Sequence, residues 1–285
     1  MNRRRVIKVP ASSANLGPGF DVLAGALSLT LTVEVEETGS FAVETDLDVS
    51  RGKDNLIVRA FESLHSADDF TFRVSSEIPL TGGLGSSASA ILAGVAAADH
   101  IFELGADLFA QAVQIEGHPD NVAASLQGGF VVCAGGAVTR IEPPAGLEAI
   151  IALPPPGEPV PTEAARAALP PEIPIGEAVD SIGNAANVVL GLERGDFDLL
   201  ALGLTDVLHE PRRAHLYPES AALVQAARGL GAIGATISGA GPTVLIWTNW
   251  EETGNVLAAV QDTVSDGWTL RRTPFTPQGL DVAEL

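Results

Sequence analysis

The sequence predicts an α+β fold built in two halves, and three observations lead to this prediction. Residues 27–36 alternate strictly between apolar and polar side chains, as an antiparallel strand with one buried face does. A glycine-rich segment at 79–90 runs directly into an alanine-rich stretch with helical spacing. A proline-rich segment at 154–161 then breaks every periodic pattern, so we place a domain boundary there, between 1–153 and 154–285.

The first half alternates between strand and helix patterns. We expect strands at 6–9, 27–36, 41–49, 70–74, 130–134 and 149–153, and helices at 55–66, after the glycine loop to about 104, and at 106–116. In the strand at 27–36, five apolar residues share one face: Leu27, Leu29, Leu31, Val33 and Val35.

The second half mixes the same two patterns. We expect helices at 162–168, 178–193, 197–208 and 218–229, then strands at 232–238 and 243–248, a helix near 252–262 and a closing strand near 268–271. Because helices and strands are interleaved in both halves, we predict the α+β class for each.

Composition narrows the class of protein. The chain has 285 residues, 36 acidic against 16 basic side chains, a net charge of −20 and a mean hydropathy of +0.25. So acidic a chain is expected to repel nucleic acid and anionic membranes. Residues 1–8 carry positive charge without the apolar stretch of a signal peptide, so we expect a cytoplasmic protein. The single cysteine, Cys133, excludes an intrachain disulfide, and the five histidines show no zinc-ligand spacing.

The segment Pro79-Leu-Thr-Gly-Gly-Leu-Gly-Ser-Ser-Ala-Ser-Ala90 indicates a phosphate site. A glycine loop turns backbone N–H groups toward one point, and the following helix N-terminus adds unpaired donors. The hydroxyls of Ser86 and Ser87 have three possible roles: to cap the helix, to bind phosphate oxygens or to hold a metal ion. A P-loop is excluded because the only Gly-Lys pair, at 52–53, has Leu47 at the required first glycine.

A dinucleotide-binding loop is the other alternative for this segment. Gly83-Leu-Gly85-Ser-Ser-Ala88 fits the loose dinucleotide pattern, but the acidic residue expected about 20 positions later falls inside the predicted helix. We therefore expect a phosphorylated nucleotide rather than a dinucleotide.

The segment Glu116-Gly-His-Pro-Asp-Asn121 follows the glycine loop in the chain, and two further motifs are present. They are Pro10-Ala-Ser-Ser-Ala-Asn-Leu-Gly-Pro-Gly-Phe-Asp-Val22 and Gly234-Ala-Thr-Ile-Ser-Gly-Ala-Gly-Pro-Thr243. In this order and spacing the chain resembles the GHMP kinase superfamily over nearly its whole length. The first motif, "E-G-H-P-D-N" and Glu210-Pro-Arg-Arg-Ala214 are similar to those of homoserine kinases.

This resemblance implies a two-domain GHMP kinase fold, with an N-terminal half like domain 2 of ribosomal protein S5 and a ferredoxin-like C-terminal half. It also implies ATP with Mg²⁺, L-homoserine as substrate, a place in threonine biosynthesis and a homodimer. The implied nucleotide-binding residues are Asn55, Pro79, Gly82, Gly83, Leu84, Gly85, Ser86, Ser87 and Ala88, with Ser87 and Glu116 as metal ligands.

The resemblance also implies the acceptor end of the site. The implied substrate-binding residues are Asn15, Asp21, Asn121, Thr162, Arg166 and Arg213; Glu116, Asp120 and Asn121 are the implied catalytic residues, and Ser238, Gly239, Gly241 and Thr243 form the third motif. These side chains suit homoserine chemistry, because Asp21 can meet an ammonium, the two arginines a carboxylate and Asn121 the hydroxyl.

Several interpretations stay open at this point. Asn15 and Asp21 also suit a turn around Gly17, Arg166 also suits a solvated helix face, and Asp120 is either a general base or a positioning group.

The chain also departs from the homoserine kinase pattern. Arg212 stands where those kinases carry tyrosine, and an arginine usual near Asn184 is missing. We therefore keep two alternatives, a kinase for a mevalonate- or phosphomevalonate-type hydroxy acid and a catalytically silent ATP-binding regulator.

Overall fold

Two β-sheets organise the protein, which we describe from a computed structural model covering residues 3–80, 82–155 and 162–284. The strands are β1 (Arg4–Ala14), β2 (Leu23–Glu37), β3 (Ala42–Thr45), β4 (Phe70–Ser76), β5 (Phe130–Ala134), β6 (Ala137–Ile141), β7 (Leu147–Leu153), β8 (Gly234–Ile237), β9 (Val244–Asn249), β10 (Thr269–Arg272) and β11 (Asp281–Glu284).

The helices lie between these strands in the mixed order that the sequence predicts. They are α1 (Leu56–Glu62), α2 (Ser86–Phe102), α3 (Leu108–Glu116), α4 (Asp120–Gln127), α5 (Thr162–Ala167), α6 (Ile175–Arg194), α7 (Phe197–Gly203), α8 (Glu210–Arg213), α9 (Pro218–Ala226) and α10 (Thr253–Thr263).

The larger sheet has the order β11-β1-β2-β4-β3, and β5 and β6 extend it from β2. The smaller sheet has the order β10-β7-β9-β8, with every pairing antiparallel. In chain order the second sheet reads β-α-β-β-α-β, the ferredoxin-like arrangement. The predicted α+β class is therefore confirmed, and the second sheet has the ferredoxin-like order expected for the C-terminal half.

Strand β2 shows why the sequence pattern was informative. Its apolar residues at 27, 29, 31, 33 and 35 are all buried, while the residues between them are at least partly exposed. They form a core with α2, whose Ile91, Leu92 and Val95 are also buried. Val188 and Leu192 of α6 belong to the same core, so the second half of the chain packs onto the first.

The structure corrects several predicted boundaries. Strand β1 continues to Ala14, so the first five residues of the first motif are extended strand. Helix α4 was missed because its short apolar face consists mainly of small residues, Val122, Ala123 and Ala124. Strand β11 was missed because it is defined by pairing with β1, almost the whole chain length away.

The last part of α7 was also predicted wrongly. The helix ends at Gly203 rather than 208, because Asp206 accepts hydrogen bonds from the N–H groups of Leu208, His209 and Glu210. A side chain that caps the next turn in this way stops the preceding helix.

The division of the chain between the two sheets does not fall at the proline-rich segment. Strand β7 precedes that break and pairs in the smaller sheet, whereas β11 returns to the larger one. The domain boundary at 153/154 stays a prediction. Among the described residues, no helix combines the length and apolar character that crossing a membrane requires.

Candidate active site

A cavity of about 700 Å³ lies where the three motifs meet. Its walls contain most of the predicted site residues: Asn15, Asp21, Pro79, Gly82, Gly83, Leu84, Gly85, Ser86, Ser87, Glu116, Asp120, Asn121, Arg166, Arg213, Gly239, Gly241 and Thr243. Residues from both sides of the proline-rich segment therefore share one concave site.

The glycine loop is wedged between the first and third motifs. Gly83 and Gly85 have φ angles of +82° and +68°, and a Cβ atom would lie 2.0 Å from the Ser238 carbonyl oxygen and 2.2 Å from Ser12 Oγ, respectively. Only glycine fits such close approaches in this backbone conformation. Ser238 Oγ also donates to the Gly83 carbonyl oxygen at 2.6 Å, which ties the loop to the third motif.

Helix α2 begins directly at this loop and points its N-terminus at the cavity. Its N-cap is Gly85, with no side-chain capping bond, so the capping alternative for the two serines is wrong. Ser87 Oγ instead donates to Glu116 Oε1 at 2.6 Å. Both side chains line the cavity, so a hydroxyl and a carboxylate stand together beside an anion-attracting helix end.

Asp120 and Asn121 open helix α4 on another wall of the cavity. Asp120 is only 3% exposed. Burial, reinforced by the neighbouring Asp21 carboxylate, holds the pKa of Asp120 above its usual range, although the Asn121 N–H and His118 act in the opposite direction. Asn121 Oδ1 accepts a hydrogen bond from Ser12 Oγ at 2.9 Å, which fixes its amide relative to β1.

The first motif ends in a turn that carries two predicted substrate residues. Asn15 and Asp21 have φ angles of +73° and +58°, which non-glycine residues rarely adopt. Asn15 Oδ1 accepts a bond from the Asp21 N–H at 3.1 Å, and its Nδ2 donates to the Gly239 carbonyl oxygen at 2.8 Å. The turn interpretation is therefore correct, and the same two residues also line the cavity.

Arg166 lies on an exposed helix face, as one alternative held, and it also lines the cavity. Its Nη1 and Nη2 donate to the two carboxylate oxygens of Asp21, each at 2.9 Å. This parallel geometry is the strong form of an arginine–carboxylate pair. The Asp21 hydrogen bonds raise the pKa of Arg166, so its charge is retained.

Arg213 is a buried cation, only 3% exposed. Its Nε donates to the Ala165 carbonyl oxygen at 2.8 Å, and Nη1 lies 3.4 Å from both His209 Nδ1 and the Gly239 carbonyl oxygen. Within residues 3–80, 82–155 and 162–284 it makes no salt bridge. Burial lowers the pKa of Arg213, as expected for a cation held away from water without a carboxylate.

Arg212, its neighbour, turns elsewhere. Its Nη1 donates to the carbonyl oxygens of Val207 and Leu208 and its Nη2 to Glu177 Oε2, and it is absent from the cavity wall. The two arginines diverge because they are consecutive in a helix, not because the backbone is extended.

Sequence reasoning missed two residues, Phe20 and His209. Phe20 lines the cavity, and fully buried His209 lies directly behind Arg213. Phe20 lies within the first motif and His209 directly precedes Glu210, so each is next to a segment that carries a sequence signal. Their importance lies in three-dimensional contacts that no local pattern encodes.

Three predicted residues with described side chains are not part of the cavity wall. Asn55 caps α1 by accepting from the Ile57 N–H at 2.9 Å, Ala88 is buried in α2, and Ser238 supports Gly83 from behind. The side chain of Thr162 lies outside the described residues. Their predicted binding roles stay predictions.

Comparison with known proteins agrees with this geometry. The family model for the N-terminal domain of GHMP kinases matches residues 55–129, and the model for their C-terminal domain matches residues 188–266. Among solved structures, homoserine kinase from Cytophaga hutchinsonii superposes with a TM-score of 0.86 at 29% identity, covering 99% of this chain and 98% of that one. A mevalonate kinase structure at 16% identity and a TM-score of 0.71 shares the fold.

Curated relatives are more similar in sequence. Homoserine kinase from Limosilactobacillus fermentum is 40% identical over 291 residues, covering 97% of this chain and 99% of the relative. The homoserine kinase from Streptomyces coelicolor is 39% identical over 302 residues, covering 98% and 94%. The chain belongs to the GHMP kinase family, in which these homoserine kinases are its relatives.

Proposed function

We propose that the protein is an ATP-dependent homoserine kinase, which transfers the γ-phosphoryl group of ATP to the side-chain hydroxyl of L-homoserine. The observation that carries this proposal is the buried guanidinium of Arg213, which forms no salt bridge within the described residues and lies beside the Asp21–Arg166 pair. A buried charge without a partner is costly. A cavity with the buried charge of Arg213 beside a second arginine and an aspartate is suited to a ligand that has both a carboxylate and an ammonium.

The phosphate end of ATP is assigned to the glycine loop. Gly82, Gly83 and Gly85 leave backbone N–H groups free of side-chain obstruction, and the α2 N-terminus adds its dipole. We assign the triphosphate to the cavity wall formed by the loop and by Ser86 and Ser87.

The residues present fit a magnesium ion held largely by phosphate oxygens. The described chain has no cluster of three or more metal-ligating side chains, whereas Ser87 and Glu116 offer one hydroxyl and one carboxylate at contact distance. Mg²⁺ commonly uses one or two carboxylates together with substrate phosphates. When bound, the ion would neutralise charge on the phosphates. The Glu116 carboxylate and the Ser87 hydroxyl would hold it.

The transfer itself needs an aligned hydroxyl and a destination for its proton. The hydroxyl oxygen forms the new bond to the γ-phosphorus, the bond from that phosphorus to the β–γ bridging oxygen breaks, and ADP leaves. We assign Asn121 to orient the hydroxyl and Asp120 to accept its proton, since both line the same wall. Burial raises the pKa of Asp120, which makes its carboxylate a stronger proton acceptor than an exposed aspartate.

A coupled assay of ADP release tests the substrate assignment. We expect MgATP turnover to depend on L-homoserine and to be far slower with mevalonate, phosphomevalonate or galactose. The carboxylate of a hydroxy acid would bind Arg166 in place of Asp21. Without an ammonium in the ligand, the Asp21 carboxylate would then be left unpaired. Turnover with mevalonate but not homoserine would overturn the proposal, and nucleotide binding without any turnover would favour the regulator.

We also propose that the enzyme works in the cytoplasm as a homodimer, supplying O-phosphohomoserine to threonine biosynthesis. The outer face of α6 supports the dimer, because Ile175, Val179 and Ile182 are 82%, 62% and 71% exposed on the side opposite buried Val188. A helix that is apolar on two faces is normally covered on both.

We expect the α6 helices of two subunits to pack antiparallel around a two-fold axis that passes between Ile182 and Gly183. Ile182 of each subunit would then lie over Gly183 of the other. Sedimentation should therefore show that Ile182→Glu is a monomer, while Trp250→Glu, changed at another exposed apolar residue, behaves like wild type. A monomeric wild-type protein would contradict the dimer.

A further inference from the structure

Phe20 lies against both arginines of the proposed carboxylate site. The Cζ atoms of Arg166 and Arg213 are 5.2 and 5.1 Å from the centre of its ring. These distances are within the range of cation–π attraction. One aromatic ring thus contacts two guanidinium groups that come from different helices, α5 and α8.

Holding two guanidinium groups so close together is unfavourable unless something offsets their repulsion. Asp21 neutralises only Arg166, and Arg213 makes no salt bridge in the described part of the chain. Each of the two cations instead meets the electron-rich ring of Phe20, which attracts positive charge without adding a negative group that would repel a ligand carboxylate.

The ring itself is held from behind. His209 packs against Phe20 with 5.4 Å between ring centres, and its Nε2 donates to the Gly17 carbonyl oxygen at 2.8 Å. Because Nε2 carries the proton, Nδ1 of the neutral imidazole is the acceptor that faces Arg213. The Gly19 N–H also donates to the Asn15 carbonyl oxygen at 3.0 Å, so the turn that carries Phe20 is anchored at both ends.

We propose that Phe20 is a positioning residue for the proposed substrate site, which holds Arg166 and Arg213 against one ring at the proposed carboxylate end of the cavity. It also keeps Arg166 in place when the substrate ammonium takes Asp21 away from it. This inference rests on the proposed function for its substrate. According to this inference, an aromatic side chain controls the affinity for homoserine although it makes no hydrogen bond to the substrate.

Stepwise fluorination of the Phe20 ring tests the proposal, because fluorine withdraws charge from the ring face while changing its size little. Mono-, tri- and pentafluorophenylalanine introduced at position 20 should raise KM for homoserine progressively, on the order of tenfold over the series. We expect kcat and KM for ATP to stay within a few fold. Phe20→Leu should match the end of the series, and Phe20→Tyr should stay near wild type.

The same fluorinated residues at Phe41 are the matched control. Phe41 is also half-buried and has Lys53 Nζ 5.6 Å from its ring centre, but it is far from the cavity wall. No dependence of homoserine KM on fluorination is expected there. A flat series at Phe20 in an enzyme that phosphorylates homoserine would overturn the positioning role.

A second measurement does not depend on turnover. In NMR spectra of the ligand-free protein, the side-chain signals of Arg166 and Arg213 should show ring-current shifts that disappear in Phe20→Leu. If these signals are unchanged, the proposal is wrong. A wild-type protein without homoserine-dependent turnover contradicts the proposed function alone, and the NMR comparison then decides the role of Phe20.

Discussion

Asp21 and Arg166 neutralise each other across the cavity through two parallel hydrogen bonds of 2.9 Å. We propose that Asp21 binds the ammonium and Arg166 the carboxylate of one zwitterionic substrate. In the free protein, Arg166 therefore occupies the place of the ammonium and Asp21 that of the carboxylate. A zwitterionic substrate can replace both halves of the pair at once. A ligand with a single charge leaves one half unpaired, and this explains selectivity by charge pattern rather than by size.

The arginines provide the first prediction. Arg213→Ala should lower kcat/KM for homoserine by about 30-fold or more, since truncating one partner of a buried charge pair costs about 2–5 kcal/mol. Arg166→Ala should lower kcat/KM by less, because the Arg166 side chain is 41% exposed and solvent screens its charge. KM for ATP should barely change. Arg212→Ala is the matched control, because Arg212 bonds to Glu177 and to backbone carbonyl groups away from the cavity.

Measuring all three variants at one salt concentration checks this prediction. If Arg212→Ala were the most damaged for homoserine, the assignment of the carboxylate site would fail.

The second prediction concerns Glu116. Glu116→Gln keeps the size of the side chain and its bond to Ser87 but removes the charge proposed to hold magnesium. We expect kcat to fall on the order of a hundredfold or more, since several kcal/mol of transition-state stabilisation depend on the ion. Part of the loss should be recovered at high Mg²⁺. Glu251→Gln, at an exposed position, is the control, and equal rates in the two variants would exclude the metal role.

Sequence reasoning succeeded where chemistry is local in the chain. The glycine loop, the alternation of β2 and the Glu116–Asn121 segment each carry their signal within a dozen residues. It failed where a role depends on distant partners. Phe20 matters because α5 and α8 bring two arginines to its ring. Helix α8 was not predicted, since it is too short to show a periodic pattern.

The third prediction tests Asp120 as the base. A base must be deprotonated to act, so kcat/KM for homoserine should fall as the pH is lowered through the raised pKa of Asp120. Asp120→Asn should be much slower and should lose this acidic limb. His118→Gln is the control for the neighbouring imidazole, and this variant should keep the limb. A rate for Asp120→Asn within a few fold of wild type, with an unchanged profile, would show that Asp120 only positions the substrate.

The last prediction concerns stability and comes from Glu210, which links α8 to the strand before the third motif. Its Oε1 accepts a hydrogen bond from the Ile237 N–H at 2.6 Å, and burial, together with the nearby Asp206, raises its pKa from 4.5 to about 8. Below about pH 4.5 the carboxyl is protonated in both the folded and unfolded chains. Between about 4.5 and 8 only the unfolded chain releases its proton, so this group lowers the free energy of unfolding as the pH rises.

Glu210→Gln keeps the acceptor for Ile237 but cannot ionise. Urea unfolding at pH 6 and pH 9 should therefore show a smaller loss of stability for the variant than for wild type, with the difference amounting to about 1 kcal/mol or more. Glu219→Gln, at an exposed position on α9, is the control and should follow wild type. Equal losses for Glu210→Gln and wild type would mean that Glu210 is already ionised at pH 6. In that case α8, and Arg213 with it, would be anchored to β8 by a charged rather than a neutral carboxyl group.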